Sequence, residues 1–124
     1  MARPCRLSAG WAREGKGMDK YAWHWSEVEP YADNELFVGR KVVTGGQTFK
    51  RISVKLASDS AQDHDHPYDQ MFCLLSGEAV MTVDGVPFFM TGGAVVRIPA
   101  NVKHSAYFGA ASEVLEIGLG VDPA

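Results

Sequence analysis

From residue 49 onward the chain is written in short runs whose apolar side chains fall on every second residue, and each run is stopped by glycine, proline or an Asp-Gly pair. A period of two is the mark of strands that turn one face toward a core, and no segment beyond residue 40 carries the stripe of an amphipathic helix. In residues 49–57, Ile52, Val54 and Leu56 fall on one face and Arg51, Ser53 and Lys55 on the other. Residues 78–90 hold two short runs around Asp84-Gly85, a dipeptide suited to the positive φ angles of a tight hairpin turn. Residues 94–99 and 113–120 supply two further strands. Ahead of this region the periodicity is mixed, with a short helical turn expected around Ser26–Val28 before Pro30 stops it. Many short strands punctuated in this way predict an all-β fold, an antiparallel sandwich or small barrel.

A length of 124 residues suits one packed domain. The net charge of −3 is unevenly spread: Arg3, Arg6, Arg13 and Lys16 against Glu14 give residues 1–17 a charge of +3, which leaves −6 for the rest. An acidic body lacks the clustered cations that a nucleic-acid partner requires, so that class is excluded. No run of about 20 apolar residues offers a membrane span, and no secretory signal opens the chain, so a cytoplasmic location is expected. Cys5 and Cys73 read as free thiols rather than a disulfide framework, with Cys73 a small core or interface residue. The basic opening ends at Met18, where the character changes, so residues 1–17 are expected to be a flexible N-terminal tail and residues 18–124 the folded domain.

Histidines are scarce here, four in all, and two of them flank Asp65 in the stretch Asp63–Gln70. Residues two apart on an extended strand share a face, so His64 and His66 can aim both imidazoles at one point. Pro67 bends the chain, after which Gln70 begins the next strand and faces the same point from another direction. His104, at the start of a later strand, offers a third imidazole. Residues 63–66 alone are equally compatible with a solvated acidic turn; the spacing across the chain is what favours a metal site.

That spacing resembles the cupin superfamily. Ser58, His64, His66, Gln70 and Gly77 stand at the intervals of its first motif (Gly, His-x-His, Glu, Gly), and Gly93, Pro99, Asn101, His104 and Phe108 at those of its second (Gly, Pro-x-Gly, His, Asn). The resemblance spans residues 58–108 and implies a jelly-roll barrel, a double-stranded β-helix, with His64, His66, Gln70 and His104 as metal ligands. Ser58, Asn101 and Phe108 depart from the pattern at turns and packing positions, and asparagine tolerates the left-handed backbone that glycine supplies. Gln70 departs at a ligand. An amide in place of a carboxylate leaves a divalent ion with uncompensated charge, a stronger Lewis acid that attracts anionic oxygens. The nitrogen-rich set suits Fe, Ni, Co, Zn or Mn and disfavours Ca and Mg.

Phe72 and Leu74 share the strand face of Gln70 and would floor the site; Met71, Cys73 and Leu75 on the opposite face are apolar too, which points to a homodimer that buries them. For proton transfer the candidates are Glu116 and Tyr68. Glu116 shares a face with Val114 and Gly118, against Leu115, Ile117 and Leu119. It is a general base if that face lines the cavity, whereas a solvent-facing glutamate on a half-exposed strand is the commoner arrangement. Tyr68 is a hydrogen-bond donor to substrate or a packing residue in a turn. Arg51 and Lys55 hold an anion or solvate an outer face. The function expected is a metal-dependent enzyme acting on a small anionic or enolisable molecule, either a Lewis-acid lyase, isomerase or cyclase, or a dioxygenase. The alternatives are a non-catalytic ligand-binding or sensing cupin and a domain with a vestigial site. Small cupins that open unsaturated uronate sugars carry a similar His, His, Gln, His set, yet here Glu116 is followed by Gly118 rather than the phenylalanine of that group, and no arginine follows Arg97.

Overall fold

The computed structural model describes residues 21–59 and 63–120. The proposed tail, residues 1–17, lies outside the described residues. A single turn of 3-10 helix, Trp25–Glu27, falls where the helical turn was expected, and His24 caps it by accepting from the backbone N–H of Ser26. Everything else that is regular among the described residues is strand: β1 (Ala32–Asp33), β2 (Phe37–Thr44), β3 (Gln47–Val54), β4 (Ser58–Asp59), β5 (Asp69–Ser76), β6 (Glu78–Val83), β7 (Val86–Thr91), β8 (Val95–Ile98), β9 (His104–Phe108) and β10 (Ser112–Leu119).

The strands form two antiparallel sheets, one in the order β1-β2-β3-β10-β5-β8 and the other β4-β9-β6-β7. This is the all-β jelly-roll barrel anticipated from the strand pattern. The β6–β7 hairpin turns on Asp84 and Gly85, both at positive φ (52° and 79°), as the Asp-Gly pair requires. Asn101 also takes a positive φ, 64°, in the glycine position of the second motif. Gly77, between β5 and β6, has φ 99°, and a Cβ there would run into Ser112 and the backbone of Ala111, so only glycine lets the two chains approach this closely.

Between the sheets, Val54, Phe72, Leu74, Ala79, Met81, Met90, Ile98 and Val114 form one buried cluster. Leu74, Ile98 and Val114 are fully enclosed. Each such side chain contributes about 1.5–3 kcal/mol by leaving water, and together they fix which face of β5 and β10 points inward. On β5 that face is Gln70, Phe72 and Leu74, as read from the alternation. On β10 it is Ser112, Val114 and Glu116, with Leu115 and Ile117 half-buried on the outside. Alternation on β3 places Ile52 and Val54 inward, but the strand ends at Val54, so Leu56 is exposed rather than part of that face.

Candidate metal centre

One end of the barrel is filled by the apolar cluster; toward the other the sheets part around a cavity of about 620 Å³. The six-stranded sheet supplies Gln70 and Glu116 to its wall, and the opposite side supplies His64, His66 and His104. The ligating nitrogens of the three histidines lie within 4.8 Å of one another, a spacing in which they could hold a metal ion. His104 is buried, His66 partly buried and His64 exposed, so the cluster opens to solvent on the His64 side.

The backbone positions these rings. His64 and His66 lie in a loop rather than on the continuous strand expected, and His64 is held by reciprocal hydrogen bonds with His104, His64 N–H to His104 O at 3.0 Å and the reverse at 2.9 Å. The N–H of Asn101 donates to the carbonyl of His66 at 2.7 Å, so the left-handed turn at Asn101 also anchors the second histidine. Asp69 secures the same loop by accepting from the N–H of Ala100 at 2.9 Å. Gln70 reaches the cluster from the first turn of inward-facing positions on β5.

Local hydrogen bonds also set the ring protons. Nδ1 of His104 lies 2.9 Å from the carbonyl of Val102 and Nδ1 of His66 lies 3.2 Å from that of Tyr68. Each Nδ1–H donates to its carbonyl, which leaves both Nε2 lone pairs facing the cavity, the second-sphere arrangement that orients metal-binding imidazoles. Nε2 of His104 is buried and has no hydrogen-bond partner among the described residues. A buried polar atom without a partner costs about 1–3 kcal/mol, and here a cation would relieve that cost. Burial is the main reason the His104 imidazole sits below its ordinary pKa, opposed by the Val102 hydrogen bond and reinforced by His64 and His66. It is therefore in the neutral form that ligates.

Gln70, 8% exposed, places Oε1 2.7 Å from Nε2 of His66 and donates through Nε2 to Oε1 of Glu116 at 3.1 Å. With Glu116 ionised, that second bond turns the amide oxygen toward the histidine. Two lone pairs then face each other at hydrogen-bonding distance, a contact that needs a proton or a metal ion between them. Glu116 is on the cavity wall, not in solvent, which reverses the commoner expectation for that strand. The apolar residues opposite it, Leu115 and Ile117, are the outer face. Burial pushes the Glu116 carboxyl above its ordinary value, with Lys50, His64 and His66 opposing.

Tyr68 packs its ring 4.0 Å from that of His66 and lines the same cavity. Its hydroxyl is held above its ordinary pKa by burial and then by Glu116, so it remains a donor. Arg51 and Lys55 are on the outside: Arg51 pairs with Glu113 at 2.6 Å and Lys55 with Asp33 at 3.2 Å. Lys50, Lys41 and Tyr31 are among the cavity residues that the strand alternation did not bring to notice. The parity of Lys50 with Ile52 and Val54 was the available signal.

No curated protein matches the chain. Its structure is similar to that of an RmlC-like cupin from Shewanella frigidimarina, with a TM-score of 0.73 and 16% identity, covering 86% of this chain and 95% of that one. KdgF from Halomonas sp. aligns with a TM-score of 0.69 and 15% identity over 79% of this chain and 91% of its own. A Streptomyces PAC13 variant solved with uridine aligns at 0.66 and 15%, over 85% of each. At such identities the likeness is one of fold. The sequence itself matches the cupin domain over residues 52–117, a stretch that takes in all three clustered histidines, Gln70 and Glu116, and the chain belongs to the cupin family.

Proposed function

We propose that this cupin is a metal-dependent enzyme acting on a small anionic or enolisable molecule. The observation that carries the reading is the pairing of an unpartnered, buried His104 Nε2 with a carboxylate, Glu116, that reaches the same cavity through Gln70. His64, His66, His104 and Gln70 would hold one divalent transition ion, of Fe, Ni, Mn, Zn or Co. Bound by neutral donors, such an ion supplies Lewis-acid polarisation of an anionic oxygen. Glu116, its carboxyl raised by burial, takes or returns a proton, and the Tyr68 hydroxyl donates to a substrate oxygen. Phe72 beneath them excludes water from that wall.

A carboxylate beside the histidines separates this reading from a non-catalytic binding or sensing cupin, which needs no proton carrier there. Elemental analysis of protein purified without chelator or metal-binding tag, with spectra taken anaerobically and in air, tests it first. Near-stoichiometric iron or nickel with oxygen-sensitive spectra selects dioxygenase chemistry, and zinc or manganese selects a lyase, isomerase or cyclase. No metal after reconstitution sinks the metal-enzyme reading. The chain is further proposed to work as a homodimer that buries the outer face of β5, where Met71 and Cys73 are half-buried and Leu75 is 47% exposed. A monomeric mass by light scattering would remove that part. Among the described residues no helix is long and apolar enough to cross a membrane.

A further inference from the structure

The inward face of the six-stranded sheet carries two lysines that the metal site does not use. Lys50 on β3 lies directly across from Glu116 on β10 and, on its other side, directly across from Lys41 on β2. All three line the cavity. Like charges placed opposite one another on neighbouring strands are destabilising, and only Glu116 stands next to them on this row. Every other basic residue described is engaged. Arg51, Lys55, Arg97 and Lys103 each pair with a carboxylate, and Arg40 donates to the carbonyl of Val28. Lys41 and Lys50 form no such pair among the described residues, although the chain as a whole is acidic.

Tyr31 completes this corner. Its N–H donates to the carbonyl of Gly39 at 2.8 Å, and its ring lies over Gly39 so closely that a Cβ there would stand 2.6 Å from the ring. Glycine at 39 is what admits the ring to the inner face. The ammonium groups of Lys41 and Lys50 lie 5.8 and 5.7 Å from the ring centroid, at the outer limit of a cation–π contact, so the ring gathers them without neutralising them. Burial and Glu116 hold the Tyr31 hydroxyl above its ordinary pKa, and it stays a donor.

We infer that Lys50, with Lys41 and the Tyr31 hydroxyl, is a second anion-binding position in the cavity, and that the ligand is a compact molecule with an oxygen at the histidines and a carboxylate or phosphate group at its far end. The inference rests on the function proposed above. Gln70 lies two strand spacings across and two residues along from Lys50, since Gln70 faces Gly118 while Lys50 faces Glu116; that is about 12 Å at the backbone, and the cavity volume of about 620 Å³ is within the ordinary range for a small-molecule site.

The test uses cobalt-loaded protein and a probe series of acetate, succinate, adipate and suberate, followed by calorimetry and by the cobalt absorption spectrum. Acetate reports the metal end alone; the dicarboxylates can also reach the lysines. The expected result is that at least one dicarboxylate binds about tenfold or more tightly than acetate. Lys50→Met removes that gain without changing cobalt content or acetate affinity, Lys50→Arg retains most of it, and Lys41→Met lowers it less. A series no tighter than acetate, a gain that survives Lys50→Met, or a loss shared equally by acetate overturns the inference and leaves the metal site standing. Failure to bind cobalt overturns the proposed function and this inference together.

Discussion

The two ends of this barrel are built on the same strands and differ in what those strands present. On β5, Phe72 and Leu74 sit in the closed end and Gln70, one alternation earlier, faces the histidines; on β10, Val114 is fully enclosed while Glu116 meets Gln70. The closed end buries apolar surface together with one hydroxyl, Ser112, that donates to the carbonyl of Ala110. The open end holds a lone buried nitrogen and a raised carboxyl, features that cost stability and have no structural use, beside two lysines that form no ion pair among the described residues. Fold and site are thus expected to fail separately although no more than two residues divide them.

The largest effect should come from the closed end. Leu74→Ala is expected to cost about 2–5 kcal/mol in chemical denaturation, with metal binding lost only as the fold is lost. At the open end His104→Ala should weaken metal binding by more than the roughly 100-fold that loss of an outer-sphere partner costs, read by competition with a chromophoric chelator, while metal-free protein unfolds cooperatively within about 1.5 kcal/mol of wild type. Gross unfolding of that variant would break the comparison. Gln70→Glu should keep the metal and weaken acetate by about tenfold, because a carboxylate ligand cancels part of the charge that attracts the anion; equal affinities would show that the amide is not setting the field. The smallest effect concerns the outer side of β5. Burial raises the Cys73 thiol above its usual value, so less thiolate is present at pH 8, and alkylation by iodoacetamide should run slower than for an open thiol and accelerate as the pH rises. A rate equal to that of an open thiol would place Cys73 in a looser setting than described.

The strand pattern and the spacing of His64, His66, Gln70 and His104 were enough to read the fold and the cluster, because both depend on local rules: alternation, turn residues and intervals along the chain. What escaped was the sense of β10, where no ligand marks the inner face as Gln70 does on β5. On β10, Leu115 and Ile117 look more like a core than Val114 and Glu116 do, yet it is Val114 that the second sheet covers. Hydrophobicity cannot name the inner face when the outer one is equally apolar; only the partner sheet decides it. Lys50 was hidden because a lysine on a half-buried strand reads as facing solvent. Tyr31 belongs to a segment with no clear period, and its place depends on the missing side chain at Gly39, a contact that leaves no trace in spacing.

The paired backbone hydrogen bonds between His64 and His104 join the two arms of the cluster through the main chain. The scaffold that presents the imidazoles is therefore held by the main chain itself. On the function proposed, the cradle for the ion is then made by the same kind of bond that makes the barrel, so that the two histidine arms keep their spacing as firmly as paired strands keep their register.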